Sequence, residues 1–218
     1  MMVARGQPKP SLKFEKTLQQ QGFLAVAGVD EAGRGAWAGP VVAAAVVLPF
    51  LNRYYGIHDS KLLTPLQREN ILRQIYKIAV DVSIGIADVV EIDALGIGRA
   101  TYLAMRRAVA NLKAPPQHIL VDGFKVGFAE IPSQGIVDGD RKSVSIAAAS
   151  IVAKVARDRI MAEVHILNPE YGFIAHKGYG TDLHQQMIKK HGVSDWHRRS
   201  YQPIKDQIKI TANLELVC

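Results

Sequence analysis

The residues of this chain best equipped for chemistry are acids placed where acids are costly. Three short apolar runs each lead into carboxylates: LAVAGV runs into Asp30 and Glu31, HILV into Asp122, and GIV into Asp138 and Asp140. An acid at the end of a buried strand loses hydration that must be replaced, and several such acids make sense together when a cation holds them. The pattern therefore predicts a divalent-metal site.

The rest of the chain is basic. Lysine and arginine number 27 against 20 aspartates and glutamates, a net charge of +7. A charge of that size serves solubility, but an acidic metal site inside a positive surround also suits a substrate made of phosphates. The 218 residues, 48% of them hydrophobic, are enough for one compact enzyme domain. Cys218, the last residue, is the only cysteine, which excludes an internal disulfide and a cysteine-ligated zinc or iron–sulfur centre. The first 22 residues hold no apolar stretch of signal-peptide type, and the run Val41 to Leu48, closed by Pro49, falls far short of the ~20 residues that span a bilayer. A soluble, unprocessed cytoplasmic protein without membrane contact is expected.

The elements that must position the acids follow from periodicity. Residues 1–22 read as a polar arm ending in a short helix, 23–192 as the catalytic domain, and 193–218 as a basic C-terminal extension packed on it. FLAVAGVD and PVVAAAVVLP read as strands joined by a glycine-rich loop, VDVSIGIADV as a third strand and HILVD as a fourth. Thr64 and Pro65 open a helix that runs through Ala79, and the apolar spacing predicts another from Ile92 to Leu112. The longest helix is SVSIAAASIVAKVARDRIMAEVHIL, whose Ala147, Ala148, Ser150 and Ala153 permit close approach to a sheet. Thr181 and Gly192 bracket a further helix. Strands first and alternation later predict a mixed sheet flanked by helices, with Asp122 at a strand's carboxyl end, where ligands bind in such folds.

On a regular strand Asp30 and Glu31 would face opposite ways; the glycines that follow, in Asp30-Glu31-Ala32-Gly33-Arg34-Gly35, permit a turn that brings both to one site. No Lys-Ser or Lys-Thr follows, so this is not a mononucleotide P-loop. Asp122 also fits an Asp-Gly turn, and Asp140 an N-cap of the long helix, with Asp138 competing for any metal role. Lys61, His176, Lys177, Arg198 and Arg199 are candidates for phosphate contacts, though each also fits a solvated surface or a loop, and Trp196 is expected to pack in the interior.

Five ordered segments carry a resemblance. AGVDEAGRGAWAGPVVAAAVVL, DSKLLT at Asp59 to Thr64, VDGF at Val121 to Phe124, GDRKSVSIAAASIVAKVARD at Gly139 to Asp158 and HKGYGT at His176 to Thr181 look like ribonuclease HII, the type 2 ribonuclease H. HRRSY at His197 to Tyr201 is similar to its bacterial branch. The pattern departs at Ala36-Trp37, where the family usually has proline and leucine, which affects only packing of that loop.

The resemblance implies a ribonuclease H-like fold of the α/β class with a C-terminal helical extension. It implies an endoribonuclease that hydrolyses the RNA strand of RNA–DNA hybrids and incises 5' of single ribonucleotides in duplex DNA, leaving 5'-phosphate and 3'-hydroxyl ends. By motif position the metal-site carboxylates fall on Asp30, Glu31, Asp122 and Asp140, holding two Mg2+ or Mn2+ ions. The 2'-hydroxyl-reading loop falls on Gly33, Arg34 and Gly35, and the tyrosine that tests the RNA-to-DNA junction on Tyr179. A monomer suffices for all of this. Another metal nuclease of the same fold, a junction resolvase or an exonuclease, would keep the acids without needing the GRG loop and the distal Tyr-Gly-Thr. A non-catalytic nucleic-acid-binding module would be expected to lack a carboxylate.

Overall fold

The computed structural model describes residues 9–50, 56–57, 60, 63–123, 126–128 and 130–215. Its centre is one five-stranded sheet of order β3-β2-β1-β4-β5. β1 (Val26–Ala32), β2 (Val41–Val47) and β3 (Asp81–Ala87) pair antiparallel, and β4 (His118–Asp122) and β5 (Ser133–Ile136) continue parallel from β1. Around the sheet lie α1 (Lys13–Gln20), α2 (Pro65–Ile78), α3 (Val89–Leu95), α4 (Ile97–Ala110), α5 (Val144–Leu167), the single turn α6 (Phe173–His176), α7 (Asp182–His191) and α8 (Gln202–Glu215). This is the expected mixed sheet between helices, with a helical C-terminal region.

β2 is buried along its whole length because both faces of the sheet are covered. Ala27, Val29, Ala43 and Ala45 pack with Ala104, Met105 and Ala108 of α4, while Ala44 and Val46 pack with Ala148, Ile151 and Val152 of α5 and Ile75 of α2. α5 lies very close to β1. Ala147, Ala148, Ser150 and Ala153 are buried as their size predicts, and a Cβ on Gly28 would collide with the backbone of Ser145.

The capping signals at α2 and α7 act as their chemistry dictates. The Thr64 side chain accepts from the Gln67 amide and Gln67 answers to the Thr64 amide, with Pro65 at the first helical position. Thr181 caps α7, which ends at Gly192 with φ 79°. The single helix expected from Ile92 to Leu112 is instead two, α3 and α4, broken at Gly96 with φ 77°. Apolar residues keep helical spacing on both sides of Gly96, so the periodicity runs through a break that the left-handed glycine makes. Asp88, in a capping box with Glu91, starts the first of the pair earlier than expected.

The short helix at the end of the polar N-terminal stretch is α1. Its Glu15 is buried and accepts from the Ser143 hydroxyl at 2.6 Å and the Ser145 amide at 2.9 Å, at the N-terminus of α5.

Candidate active site

β1 and β4 run parallel with Val29 beside Val121, so the residues that follow, Asp30 and Asp122, stand on neighbouring strands at the carboxyl end of β4. β1 stays regular through Ala32, so Asp30 and Glu31 alternate in the usual way and no turn swings them together. They share one cleft where β4 gives out beside β1: the two strands pair only as far as Val29 and Val121, and Asp30, Glu31 and Asp122 all line a cavity of about 250 Å³. Asp140 lies in a 3-10 turn (Gly139–Arg141) after β5. That turn is tied to Asp122, whose Oδ1 accepts from the Gly139 amide at 2.6 Å.

Electrostatics brings the four acids into one group. Burial raises the Asp30 carboxyl well above the usual carboxylate range, and the charges of Glu31, Asp122 and Asp140 push it further, against a lowering hydrogen bond from the Glu31 amide at 2.7 Å. Asp140 is buried and belongs to this set, whereas Asp138 is exposed, with φ 54°. The capping role open to Asp140 is filled by Ser143, whose side chain accepts from the Ile146 amide. Among the described residues no three of these acids already stand in metal-holding geometry. Four crowded oxygen-donor acids nonetheless form the donor set that a hard divalent cation prefers, and such a cation would relieve the repulsion acting on Asp30.

Two loops close the cleft. Gly33, Arg34 and Gly35 of one and Tyr179 of the other line it, as do Ser60, Ser150 and Lys154. Arg34 stands 3.7 Å from Glu31 at its Nη1. Gly33 has φ +93°, and a Cβ there would strike the Arg157 side chain. Gly178 and Gly180, on either side of Tyr179, abut the Ala38 backbone and the Trp37 ring, which leave no room for a Cβ. The departure at Trp37 therefore does concern packing: its ring lies against the loop that carries Tyr179.

Arg157 and Arg198 are fully buried beneath these loops. Arg157 donates to the carbonyls of Pro40, Ala38 and Lys177 and stands 5.3 Å from the Tyr179 ring centre. Burial lowers its guanidinium to about 10, which still leaves it charged at neutral pH.

The structure redistributes the basic candidates. Arg198, expected at a phosphate, is interior, because its guanidinium finds enough backbone carbonyls there to replace water. His176 is buried as well: its Nε2 donates to the Tyr171 carbonyl at 2.8 Å and its Nδ1 accepts from the Gly178 amide at 3.2 Å, so both ring nitrogens serve the loop and neither is left for a phosphate or a proton. Lys177 is half-buried, with burial lowering its ammonium pKa. Arg199 is exposed and stands 3.3 Å from Asp195. Trp196 packs against the buried cluster of Met161, Tyr171 and Phe173. Lys61 lies outside the described residues, as do Asp59 and Phe124 of the DSKLLT and VDGF segments.

The comparison with known sequences decides the family. Residues 27–204 match the family model for ribonuclease HII. The chain belongs to the ribonuclease HII family. A ribonuclease HII of Desulfitobacterium hafniense is 50% identical over 199 residues, spanning 91% of this chain and 76% of that protein. In three dimensions the chain is similar to ribonuclease H2 from Pyrococcus horikoshii, with a TM-score of 0.74 and 29% identity over 86% of this chain and 99% of that one. The fold also matches Bst ribonuclease HIII, solved in complex with Mn2+, with a TM-score of 0.70 and 19% identity over 89% of this chain and 72% of that one.

Membership makes the protein a ribonuclease, a hydrolase that acts on the RNA strand of RNA–DNA hybrids. Among the described residues no helix is long and apolar enough to cross a membrane. Residues that sequence reasoning missed are those that hold the ribonuclease HII loops from below: Arg157, His184 and His197. No signal in their types separates them from the surface arginines and loop histidines around them.

Proposed function

We propose that this ribonuclease HII incises on the 5' side of a ribonucleotide embedded in duplex DNA and leaves 5'-phosphate and 3'-hydroxyl ends. The observation that carries the reading is the cleft lined by Asp30, Glu31 and Asp122 together with Gly33–Gly35 and Tyr179, with the charge of Asp140 also felt at Asp30. The four carboxylates would hold two Mg2+ or Mn2+ ions. Bound there, such ions supply Lewis-acid charge for an in-line displacement at the scissile phosphate.

The chain's own residues do the rest. Burial and three neighbouring acids oppose the charge of Asp30, and a bound cation would offset that opposition. Asp122 and the Gly139 turn hold each other, which fixes Asp140 relative to the strand ends. The peptide groups of the Gly33–Gly35 loop meet the ribose 2'-hydroxyl, the one group that tells RNA from DNA. The Tyr179 ring, backed by Arg157 at 5.3 Å and Lys154 at 5.8 Å, offers a flat face to the sugar that follows. Lys177 and the exposed Arg34 supply charge for the phosphates on either side.

The test is to incubate the purified protein with Mg2+ or Mn2+ and a duplex containing one ribonucleotide, and to map the cut to the nucleotide. A single incision 5' of the ribonucleotide is expected. Cutting of an all-DNA duplex at equal rate, or none of the ribonucleotide duplex, would overturn the reading.

A further inference from the structure

Arg198 spends every one of its donors on the backbone of the cleft. Its Nε donates to the Gly39 carbonyl at 2.9 Å, its Nη1 to the Arg34 carbonyl at 3.0 Å and the Tyr201 hydroxyl at 2.9 Å, and its Nη2 to the Gly33 carbonyl at 2.7 Å and the Pro40 carbonyl at 3.2 Å. A guanidinium has five N–H groups in a fixed plane, and here all are used. Tyr201 in turn donates from its hydroxyl to the Arg34 carbonyl at 2.6 Å. Two side chains of the C-terminal region thus hold two successive carbonyls of the Gly33–Gly35 loop.

A trans peptide carries its carbonyl and the next N–H on opposite sides. With the Gly33 and Arg34 carbonyls turned to the buried guanidinium, the N–H groups of Arg34 and Gly35 turn the other way, where the loop lines the cleft. Neither amide has an acceptor among the described residues, and a Cβ built on Gly35 would meet only open space. Two aimed amide donors over a cleft suit an uncharged hydroxyl oxygen, which accepts through two lone pairs.

We propose that Arg198 and Tyr201 are positioning residues for ribose selection, orienting the Arg34 and Gly35 amides toward the 2'-hydroxyl. The inference rests on the reading of Gly33–Gly35 as the 2'-hydroxyl site and adds what sets the direction of its donors.

The test measures equilibrium affinity, in EDTA so that no cleavage occurs, for a duplex with one ribonucleotide and for the same duplex in DNA alone. Three proteins are compared: the parent, Tyr201→Phe and Arg198→Lys. Tyr201→Phe keeps the ring and removes the hydroxyl. It is expected to shrink the preference for the ribonucleotide duplex about three- to tenfold, the worth of one hydrogen bond, with affinity for the DNA duplex unchanged and the protein still folded at the assay temperature. Arg198→Lys, with three donors and no plane, should shrink it further. Should Arg198→Lys fail to fold, Tyr201→Phe alone decides. A parent that prefers the ribonucleotide, with a folded Tyr201→Phe that prefers it equally, overturns the positioning role and leaves the 2'-hydroxyl reading standing. A parent with no preference removes both.

Discussion

The Nε2 atoms of His184 and His197 face each other at 3.1 Å in the interior. His184 Nδ1 donates to the Tyr179 carbonyl at 3.0 Å, so its Nε2 is the acceptor; His197 Nδ1 accepts from the Ser194 amide at 2.9 Å, so its Nε2 is the donor. Both rings are therefore neutral, and a proton added to His184 would set two N–H groups against each other.

Burial, the largest cause, lowers His184 to about 3 and His197 to about 4, from an ordinary 6.5. Above pH 6.5 folded and unfolded chains are both neutral here. Below it the unfolded chain takes up protons that the folded chain refuses, so stability falls as pH drops from about 6.5 toward 4, by up to ~1.4 kcal/mol per unit for each histidine. Denaturation of the parent and of His197→Gln from pH 8 to 4.5 measures it. The parent should show the steeper decline, and equal slopes would refute the account.

Replacing Asp30 or Asp122 by Asn should abolish nearly all cleavage while leaving duplex binding. The amide keeps the shape and loses the charge that a cation needs. Without metal, Asp30→Asn should melt higher than the parent, because burial and three neighbouring acids oppose its charge. Turnover within a few-fold of the parent would count against the metal site.

Asp140 and Asp138 should differ. Asp140 is buried within reach of the Asp30 charge, and Asp138 is exposed. Asp140→Asn is expected to cut the rate by at least tenfold, about 1.4 kcal/mol of barrier, and to raise the metal concentration required, with Asp138→Asn close to the parent. Metal titrations of activity for both variants check this, and the reverse order would shift the site by two residues.

Tyr179→Ala should lower cleavage of a single-ribonucleotide duplex more than of an all-RNA hybrid, since the ring meets the sugar past the ribonucleotide. Initial rates on the two substrates decide. Equal losses would make Tyr179 a packing residue of its loop.

Much of this was legible in the chain because some residue types carry their own geometry. Thr64-Pro65 and Thr181 announce helix starts, and apolar runs ending in Asp30 and Asp122 announce strand ends at a common edge. Gly96 was not legible as a break, since the apolar spacing continues across it. Arg198 and His176 read as phosphate-binding residues because the type of a side chain does not reveal that neighbouring carbonyls will replace its water. The expected turn is present at Gly33–Ala36 but begins after the acids, so Asp30 and Glu31 stay on the regular strand and reach one cleft because β4 ends beside them.

Glu15 has a consequence for anyone trimming or fusing this protein. The family match begins at residue 27, which invites a cut just before it. Yet Glu15 occupies the Ser143 hydroxyl and the Ser145 amide, and Ser145 is the residue whose backbone presses on Gly28, two positions before Asp30. A chain shortened to Phe23 would lose that brace at the base of α5, so a cut that keeps it falls ahead of Lys13.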